Sequence, residues 1–557
     1  MNSESKIPTT LFVAPWGDFT KYDETSYIPP GTDQEVRSKT SLIPLINHVL
    51  NSVDSYDETR YEILILVQET LAATLLSSEL DGLHNEDKEY SEAYKKVLNN
   101  LEKEVFENIN ELDFPKHPTI KILPGIGSFS YNKRSGNNGK TVTWRFNKNI
   151  EKKATPFGYY ASIALLHILS TLYKVGGNCK SAIHIHFDST HGINYTGTAT
   201  YRALLTAARL YSASTDSTIE MSFYNSDPYI RGVNRPLHIW NVRNEYITPK
   251  KALSQLLYTY ILVRSDMPGI QNLKYCIVVN NKLAAREKKD LEKESRWINE
   301  LAEKYANKAF SGAYFGFPLL LLNVGYECHE TLLDKKKAME DVFNTIIDIF
   351  VKKLPIVKVQ AYSDGSLIIE HQAGMLFDKL KSYLAGLSAI NYSVNTWKEV
   401  FGETCRKEHD TNKSRNVLWA TYRDLEKTED RIVGPLRQIV SHELYQFKKI
   451  LEGSDTNDIS VIYMDFVLKL KQCLMFELER YINNSIKEQI INIGEPKKDL
   501  RIFTAHAGLS TNLLSIKCKG NTIYVAYNKQ AIENILEDIA KDLLNDVKKK
   551  LILVRYS

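Results

Sequence analysis

The six cysteines of this 557-residue chain, Cys179, Cys276, Cys328, Cys405, Cys473 and Cys518, are scattered, and no two form a CxxC pair. That spacing supplies neither a zinc site nor a disulfide framework, and it fits a reducing cytoplasm. Long apolar runs are missing as well. The best candidate, 157–173, is interrupted by Gly158, Ser162, His167 and Ser170, and the polar residues 1–10 lack a signal core, so no membrane segment is expected. Charge of one sign is scarce: 71 basic against 67 acidic residues leave a net +4, too little for a basic surface that grips duplex nucleic acid. Any nucleic-acid contact then belongs to a local cleft. Neither glycine signature of nucleotide enzymes is complete. In the run from Arg134 to Thr141 an arginine holds the first glycine position of a P-loop, and Pro124-Gly125-Ile126-Gly127-Ser128-Phe129-Ser130 lacks the third glycine of a dinucleotide turn. Neither an ATPase nor an NAD enzyme is implied.

What is present changes character along the chain. Up to about residue 247, short apolar runs at 11–14, 63–67, 120–123, 182–187, 219–223 and 238–242 alternate with helical patterns at 42–53, 69–76, 90–110, 157–173 and 201–211. That alternation predicts a Rossmann-like α/β domain with a parallel sheet. An inserted hairpin is expected over 129–146, turning at 136–139. Beyond 248 long charged helical stretches take over, at 284–309, 331–353, 376–387, 415–429, 438–451 and 461–486. A hairpin at 514–518 and 522–526 precedes a last helix at 530–550. The fold class is therefore α/β plus α, with neither internal repeat nor long low-complexity linker.

In an open parallel sheet ligands sit beyond the carboxyl ends of the strands. After the first strand comes Trp16-Gly17-Asp18, a glycine turn expected to offer backbone N–H groups beside an aromatic ring suited to stacking on a base. After the fourth comes Asp188-Ser189-Thr190-His191-Gly192-Ile193-Asn194-Tyr195. Its hydroxyls, imidazole, amide and glycine at a helix start suit phosphate and ribose, and equally suit a capped turn with Asp188 and Thr190 as capping residues. His184 and His186 alternate on a strand, and with no carboxylate motif nearby they read as core-edge histidines rather than metal ligands.

Arg501 and His506 stand five apart with Gly508 just behind. Cleavage of RNA without a metal needs a proton-moving group that titrates near neutrality and a permanent cation for the growing phosphate charge, roles that histidine and arginine fill. On one helix a separation of five turns the side chains roughly 140° apart, so two copies facing across a dyad suit the chemistry better than one. The spacing alone does not discriminate, because Arg437 and His442 repeat it inside a candidate helix starting near Pro435. Glu495-Pro496-Lys497-Lys498-Asp499, a helix-start signal, favours the later pair, since a helix N-terminus attracts phosphate.

Together these residues resemble the CARF–HEPN ribonucleases, ancillary effectors of type III CRISPR systems. The loop from Asp188 to Tyr195 is similar to the family's signature ligand loop, Trp16-Gly17-Asp18 sits where its first ligand loop belongs, and Tyr224-Asn225-Ser226-Asp227-Pro228-Tyr229 matches a further sensor segment. Arg501 to Gly508 resembles the HEPN motif, departing at Ile502 where the family usually carries asparagine or another polar group. The resemblance implies a CARF sensor domain over 1–247, a mainly helical connector over 248–400 that is partly HEPN, and an all-α HEPN domain with a short hairpin over 401–557. It implies cyclic oligoadenylate bound by Trp16, Gly17, Asp18, Asp188, Thr190, His191, Gly192, Asn194 and Tyr195, with the tetra-adenylate ahead of the hexa-adenylate. Arg501 and His506 would then cut single-stranded RNA to 2′,3′-cyclic phosphate and 5′-hydroxyl ends, with no metal or other cofactor, in a homodimer or higher oligomer. Two alternatives stay open: a sensor whose HEPN half is a weak or inactive scaffold, and a ring nuclease that degrades its own activator.

Overall fold

A computed structural model describes residues 9–52, 61–83, 92–135, 138–146, 155–176, 182–192, 194–229, 235–263, 269–279, 282–353, 357–361, 366–402, 418–434, 437–451, 491–492, 498, 508–509, 513–519, 522–528, 531–532 and 535–556. The first half runs β1 (Thr9–Trp16), β2 (Thr25–Ile28), β3 (Val36–Ser38), α1 (Leu42–Asn51), β4 (Tyr61–Gln68), α2 (Ala72–Leu75), α3 (Ser77–Gly82), α4 (Glu92–Asn110) and β5 (Thr119–Leu123). It continues through a hairpin of β6 (Gly127–Ser135) and β7 (Asn138–Phe146), then α5 (Pro156–Gly176), β8 (Ile183–Asp188), α6 (Asn194–Thr215), β9 (Ile219–Ser226) and β10 (Leu237–Ile247).

The eight-stranded sheet has the order β3-β2-β10-β9-β8-β1-β4-β5. Five consecutive strands, β9-β8-β1-β4-β5, are parallel, and β10 returns antiparallel beside β9. Parallel strands covered on both faces need apolar residues at every position. In β1, Leu11 and Val13 enter one buried cluster and Phe12, Ala14 and Trp16 the other; in β4, Leu64 and Leu66 alternate with Ile63, Ile65 and Val67 in the same way. The chain passes from β1 to β4 on one side and places β8 on the other, so the switch of direction lies between β1 and β8. That is where such sheets open a crevice.

All six expected strands are found. The sequence pattern missed β2 and β3, which are short and half polar, and it did not show that the last strand runs antiparallel. The expected turn at 136–139 is tighter: Gly139 already pairs with Arg134, and the connecting residues 136–137 lie outside the described set.

The second half begins at α7 (Pro249–Ile261), whose N-terminus is capped by Thr248 Oγ1 accepting from the Lys251 N–H, with proline in the first turn. There follow β11 (Ile277–Val279), α8 (Lys282–Glu294), α9 (Arg296–Phe315), α10 (Pro318–Asp334), α11 (Met339–Asp348), β12 (Val357–Ala361), β13 (Leu367–His371), β14 (Ala373–Met375) and α12 (Phe377–Phe401). The helix expected over 284–309 is therefore two helices parting at Ser295, and the one expected over 331–353 is broken after Asp334. The helix expected over 376–387 continues to Phe401. As α12 it forms the hub, packed against α6, α7, α9 and α10. The middle is mainly helical, as expected, with β12 and β13 as unanticipated strands: β13 pairs parallel with β7 and extends the hairpin to a four-stranded sheet of order β12-β13-β7-β6.

The C-terminal part holds α13 (Tyr422–Lys427), α14 (Arg437–Leu451), β15 (Ile491–Asn492), β16 (Leu514–Lys519), β17 (Thr522–Tyr527) and α15 (Leu536–Tyr556). The expected hairpin is present as β16 and β17, and β15 adds a short third strand. The helix expected over 415–429 is shorter: residues 418–421 are not helical, with Ala420 bridging to Val525, and only α13 and a following single turn are; the one expected over 461–486 lies outside the described residues. No described helix is long and apolar enough to cross a membrane.

Candidate functional site

At the switch point the loops after β1 and β8 are stitched together. The Gly17 N–H donates to the His191 carbonyl at 3.0 Å, and the Tyr22 hydroxyl donates to the same carbonyl at 2.9 Å. Tyr22 also stacks on the His191 ring, centroids 4.4 Å apart. Across the crevice the Ser41 N–H, just before α1, donates to His191 Nε2 at 3.0 Å. This ring nitrogen is therefore an acceptor. Burial pushes the His191 pKa down, against an upward pull from Asp188, so the imidazole acts as a neutral hydrogen-bonding ring.

Asp188 lies beneath the loop, 1 % exposed. Its carboxylate accepts from Ser41 Oγ at 2.6 Å, from the Thr190 N–H at 3.0 Å and from Thr190 Oγ1 at 2.6 Å. Thr190 Oγ1 in turn accepts from the Ser226 N–H at 3.0 Å, joining this loop to the end of β9. Asp188 thus builds the loop from below, as a capping residue does. The half-buried upper surface comprises Ser189, Thr190, His191 and Gly192, followed by Tyr195 in the first turn of α6. Gly192 is held against Pro15 and Thr196, where an added Cβ would press at 3.2 to 3.3 Å. Tyr195 reaches across to β4: its hydroxyl lies 2.8 Å from Gln68 Oε1 and 2.9 Å from the Ile126 carbonyl. Asn194 opens α6, beside the same crevice.

The expectation for the first loop is corrected. Trp16 is 2 % exposed and packs on Phe19, Tyr22 and Phe114, so its indole belongs to the core and cannot stack on a ligand from the crevice. The Gly17 N–H is already engaged by His191 and by the Tyr22 hydroxyl. Asp18 faces outward, accepting from Thr20 and Thr74 beside Lys21; burial raises its pKa, but the hydrogen bonds and the lysine outweigh that and hold it below the ordinary carboxylate value. Ser41, Tyr22, Tyr27 and Gln68 complete the site and were missed in the sequence. A serine directly before an apolar helix start was the available signal for Ser41, and it reads locally as a cap. The His186 ring lies between Phe12 and Tyr224, and burial pushes its pKa down to about 3, while His184 pairs with Glu220. Both fit the core-edge reading.

Of the two arginine–histidine pairs, Arg437 and His442 lie in α14, where Arg437 is engaged by Asp430 at 2.6 Å and His442 points to solvent. Arg501 and His506 lie outside the described residues. Two positions beyond His506, Gly508 adopts a left-handed turn with φ +77°, where an added Cβ would meet Phe317 Cβ at 2.9 Å and the Tyr527 hydroxyl at 3.0 Å. Tyr527 donates to the Gly508 carbonyl, and Leu509 is fully buried. The exit of the motif is thereby pinned between the start of α10 and β17, and glycine is required there.

The N-terminal domain and the C-terminal part also meet directly. Asp216, just past the end of α6, binds Arg431 Nη1 through both carboxylate oxygens at 2.7 and 2.8 Å, while Arg431 Nε donates to Thr396 of α12 and its guanidinium lies over Tyr392.

The fold is thus a Rossmann-type domain with polar loops closed over its switch point, joined through a helical hub to a second domain. The chain belongs to the CARF–HEPN proteins: residues 11–228 match the family described as "CRISPR system endoribonuclease Csx1, CARF domain" and residues 434–529 the one described as "CRISPR system endoribonuclease Csx1, HEPN domain". A curated relative, "CRISPR system endoribonuclease Csx1" of Methanocaldococcus jannaschii, is 23% identical over 349 residues, an alignment spanning 62% of this chain and 60% of that protein.

Proposed function

We propose that the chain is a cyclic-oligoadenylate-activated, metal-independent endoribonuclease of type III CRISPR defence, with the tetra-adenylate as activator and single-stranded RNA as substrate. The observation that carries this reading is the direct path of α6. It starts in the switch-point loop at Asn194 and ends at Thr215, next to Asp216, which clamps Arg431 three residues before the HEPN match begins. An activator seated on Ser189, Thr190, His191, Gly192, Asn194 and Tyr195, with Asp18 and Gly17 on the opposite rim, presses on the first turn of that helix. Its phosphates meet hydroxyls, backbone N–H groups and the positive end of α6. Asp188 and Trp16 support these loops from below. Movement of α6 is relayed to Arg431 and so to the HEPN domain, a shift of one packed element against another.

For the chemistry, Arg501 stabilises the phosphate and His506 moves the proton or holds the attacking 2′-hydroxyl, leaving a 2′,3′-cyclic phosphate and a 5′-hydroxyl. The pinned turn at Gly508 supports this pair, because it fixes the backbone two positions beyond His506. Two copies in a homodimer complete the catalytic centre, and the functional division follows 1–247, 248–400 and 401–557.

The test is incubation of the full chain with labelled RNA and labelled cyclic tetra-adenylate, with and without EDTA. RNA cut only when the ring is present, at a rate EDTA leaves unchanged, supports the reading. A ring cut while RNA survives assigns the protein as a ring nuclease, and neither cut leaves a sensor or scaffold.

A further inference from the structure

A second cleft, of about 950 Å3, opens away from the switch-point loops, between the start of α5, the middle of α6, the end of α7 and the start of α12. None of its lining residues belongs to the activator site. Within its lining the exposed Arg202 guanidinium lies over two rings, 5.8 Å from the centroid of Phe157 and 5.7 Å from that of Phe377. No carboxylate or carbonyl among the described residues accepts a hydrogen bond from it, so its planar fork of donors is oriented by the rings and left for a ligand. Lys379, also lining the cleft, is likewise without an acid partner among the described residues. The one carboxylate in the lining, Asp378, is neutralised by Lys381 at 2.8 Å. Thr155 caps α5 by accepting from the Gly158 N–H, whereas no side chain caps α12, so the N–H groups of its first turn add to the positive potential beside Lys379. The rim is apolar: Tyr258 and Leu262 stay 39% and 40% exposed, surface that a flat aromatic ligand would cover.

Two free cations against an apolar rim call for a ligand that is anionic at one end and flat at the other. We propose that this cleft is a second nucleotide site, taking a nucleoside 5′-monophosphate group with its phosphate on Arg202 and Lys379 and its base against Tyr258 and Leu262. Eight residues of α6 separate Arg202 from Asn194, about 12 Å along the helix, so the two sites share an element without sharing a residue. A nucleotide here would rest on α6 and α12 together, the pair that links the sensor to the hub.

Calorimetric titration of AMP into the full chain tests this independently of any RNA cleavage. Saturable binding is expected, weakened at least about tenfold, or about 1.4 kcal/mol, in the double variant Arg202→Gln, Lys379→Gln. Tyr258→Ala, on the rim, should weaken it without touching the cations, and so keeps the test open should the double variant misfold. Adenosine and ribose 5-phosphate should each bind more weakly than AMP, and a 5′-phosphorylated trinucleotide binding more tightly would identify an RNA end as the source of the nucleotide. Absence of saturable heat, unchanged affinity in folded variants, or ribose 5-phosphate binding as tightly as AMP would each overturn the proposal.

Discussion

Asp188 is the residue on which the candidate activator site turns, and its role is architectural. One carboxylate, buried at 1 % exposure, holds Ser41 from the opposite side of the crevice and Thr190 from its own loop. Hydrogen bonds to a buried charge are worth about 1.5 to 3 kcal/mol each, with losses that do not simply add. Asp188→Ala should therefore cost about 3 kcal/mol of stability by urea unfolding and also reduce the melting-temperature rise produced by cyclic tetra-adenylate. Unchanged stability with lost activation would mean that Asp188 touches the ligand instead of the loop. His191 behaves in kind, since its ring is engaged by Tyr22 and Ser41, so His191→Ala should lower stability as well as activation. The loop itself was legible because hydroxyls, an imidazole and a glycine follow a strand. The burial of Asp188 and Trp16 was not, because the partner Ser41 is 147 residues away in the chain and Phe114 closes over Trp16 from beyond α4.

At the scale of elements, α6 is the connection to test. Its 22 residues span about 33 Å, from the loop after β8 to the Asp216 clamp on Arg431. Coupling between sites is typically 1 to 3 kcal/mol, about 5- to 150-fold. Replacing Asp216 by Asn should leave the activator-induced melting shift in place while reducing stimulation of RNA cleavage by about tenfold; a variant stimulated as strongly as the parent would remove this clamp from the pathway. The element pattern of the sensor was readable from its continuous apolar strands. The helical hub was less so: Leu319, Leu320, Leu321 and Leu322 at the start of α10 are all fully buried, and a helix surrounded by protein carries no amphipathic period to read. Of the two missed strands, β12 does carry a local signal, the alternation over Val357, Lys358, Val359, Gln360 and Ala361, whereas the pairing of β13 with β7, over 200 residues earlier, has none.

For the whole molecule, acid should loosen the fold before carboxylates titrate. Burial holds the pKa of both His167 and His186 near 3 in the folded chain, below the ordinary value of 6.5. Between those values the unfolded chain binds protons that the folded chain does not, so stability is complete above about pH 6.5 and is lost as pH falls toward 3. The melting temperature should drop from pH 7 to pH 5, and His186→Phe, which keeps the ring stack on Phe12 and Tyr224, should drop less; equal slopes would show that His186 does not carry the effect. The central claim is that a bound cyclic oligoadenylate switches on RNA cleavage by Arg501 and His506, with Arg437 and His442 as surface residues. The most direct measurement is the RNA cleavage rate at saturating cyclic tetra-adenylate for the parent, His506→Ala and His442→Ala, each shown to be folded and dimeric. Loss of at least about 10²-fold in His506→Ala, the scale for removing an acid–base group, with most activity kept in His442→Ala, is the expected result. Cleavage that survives in His506→Ala and disappears in His442→Ala would contradict it.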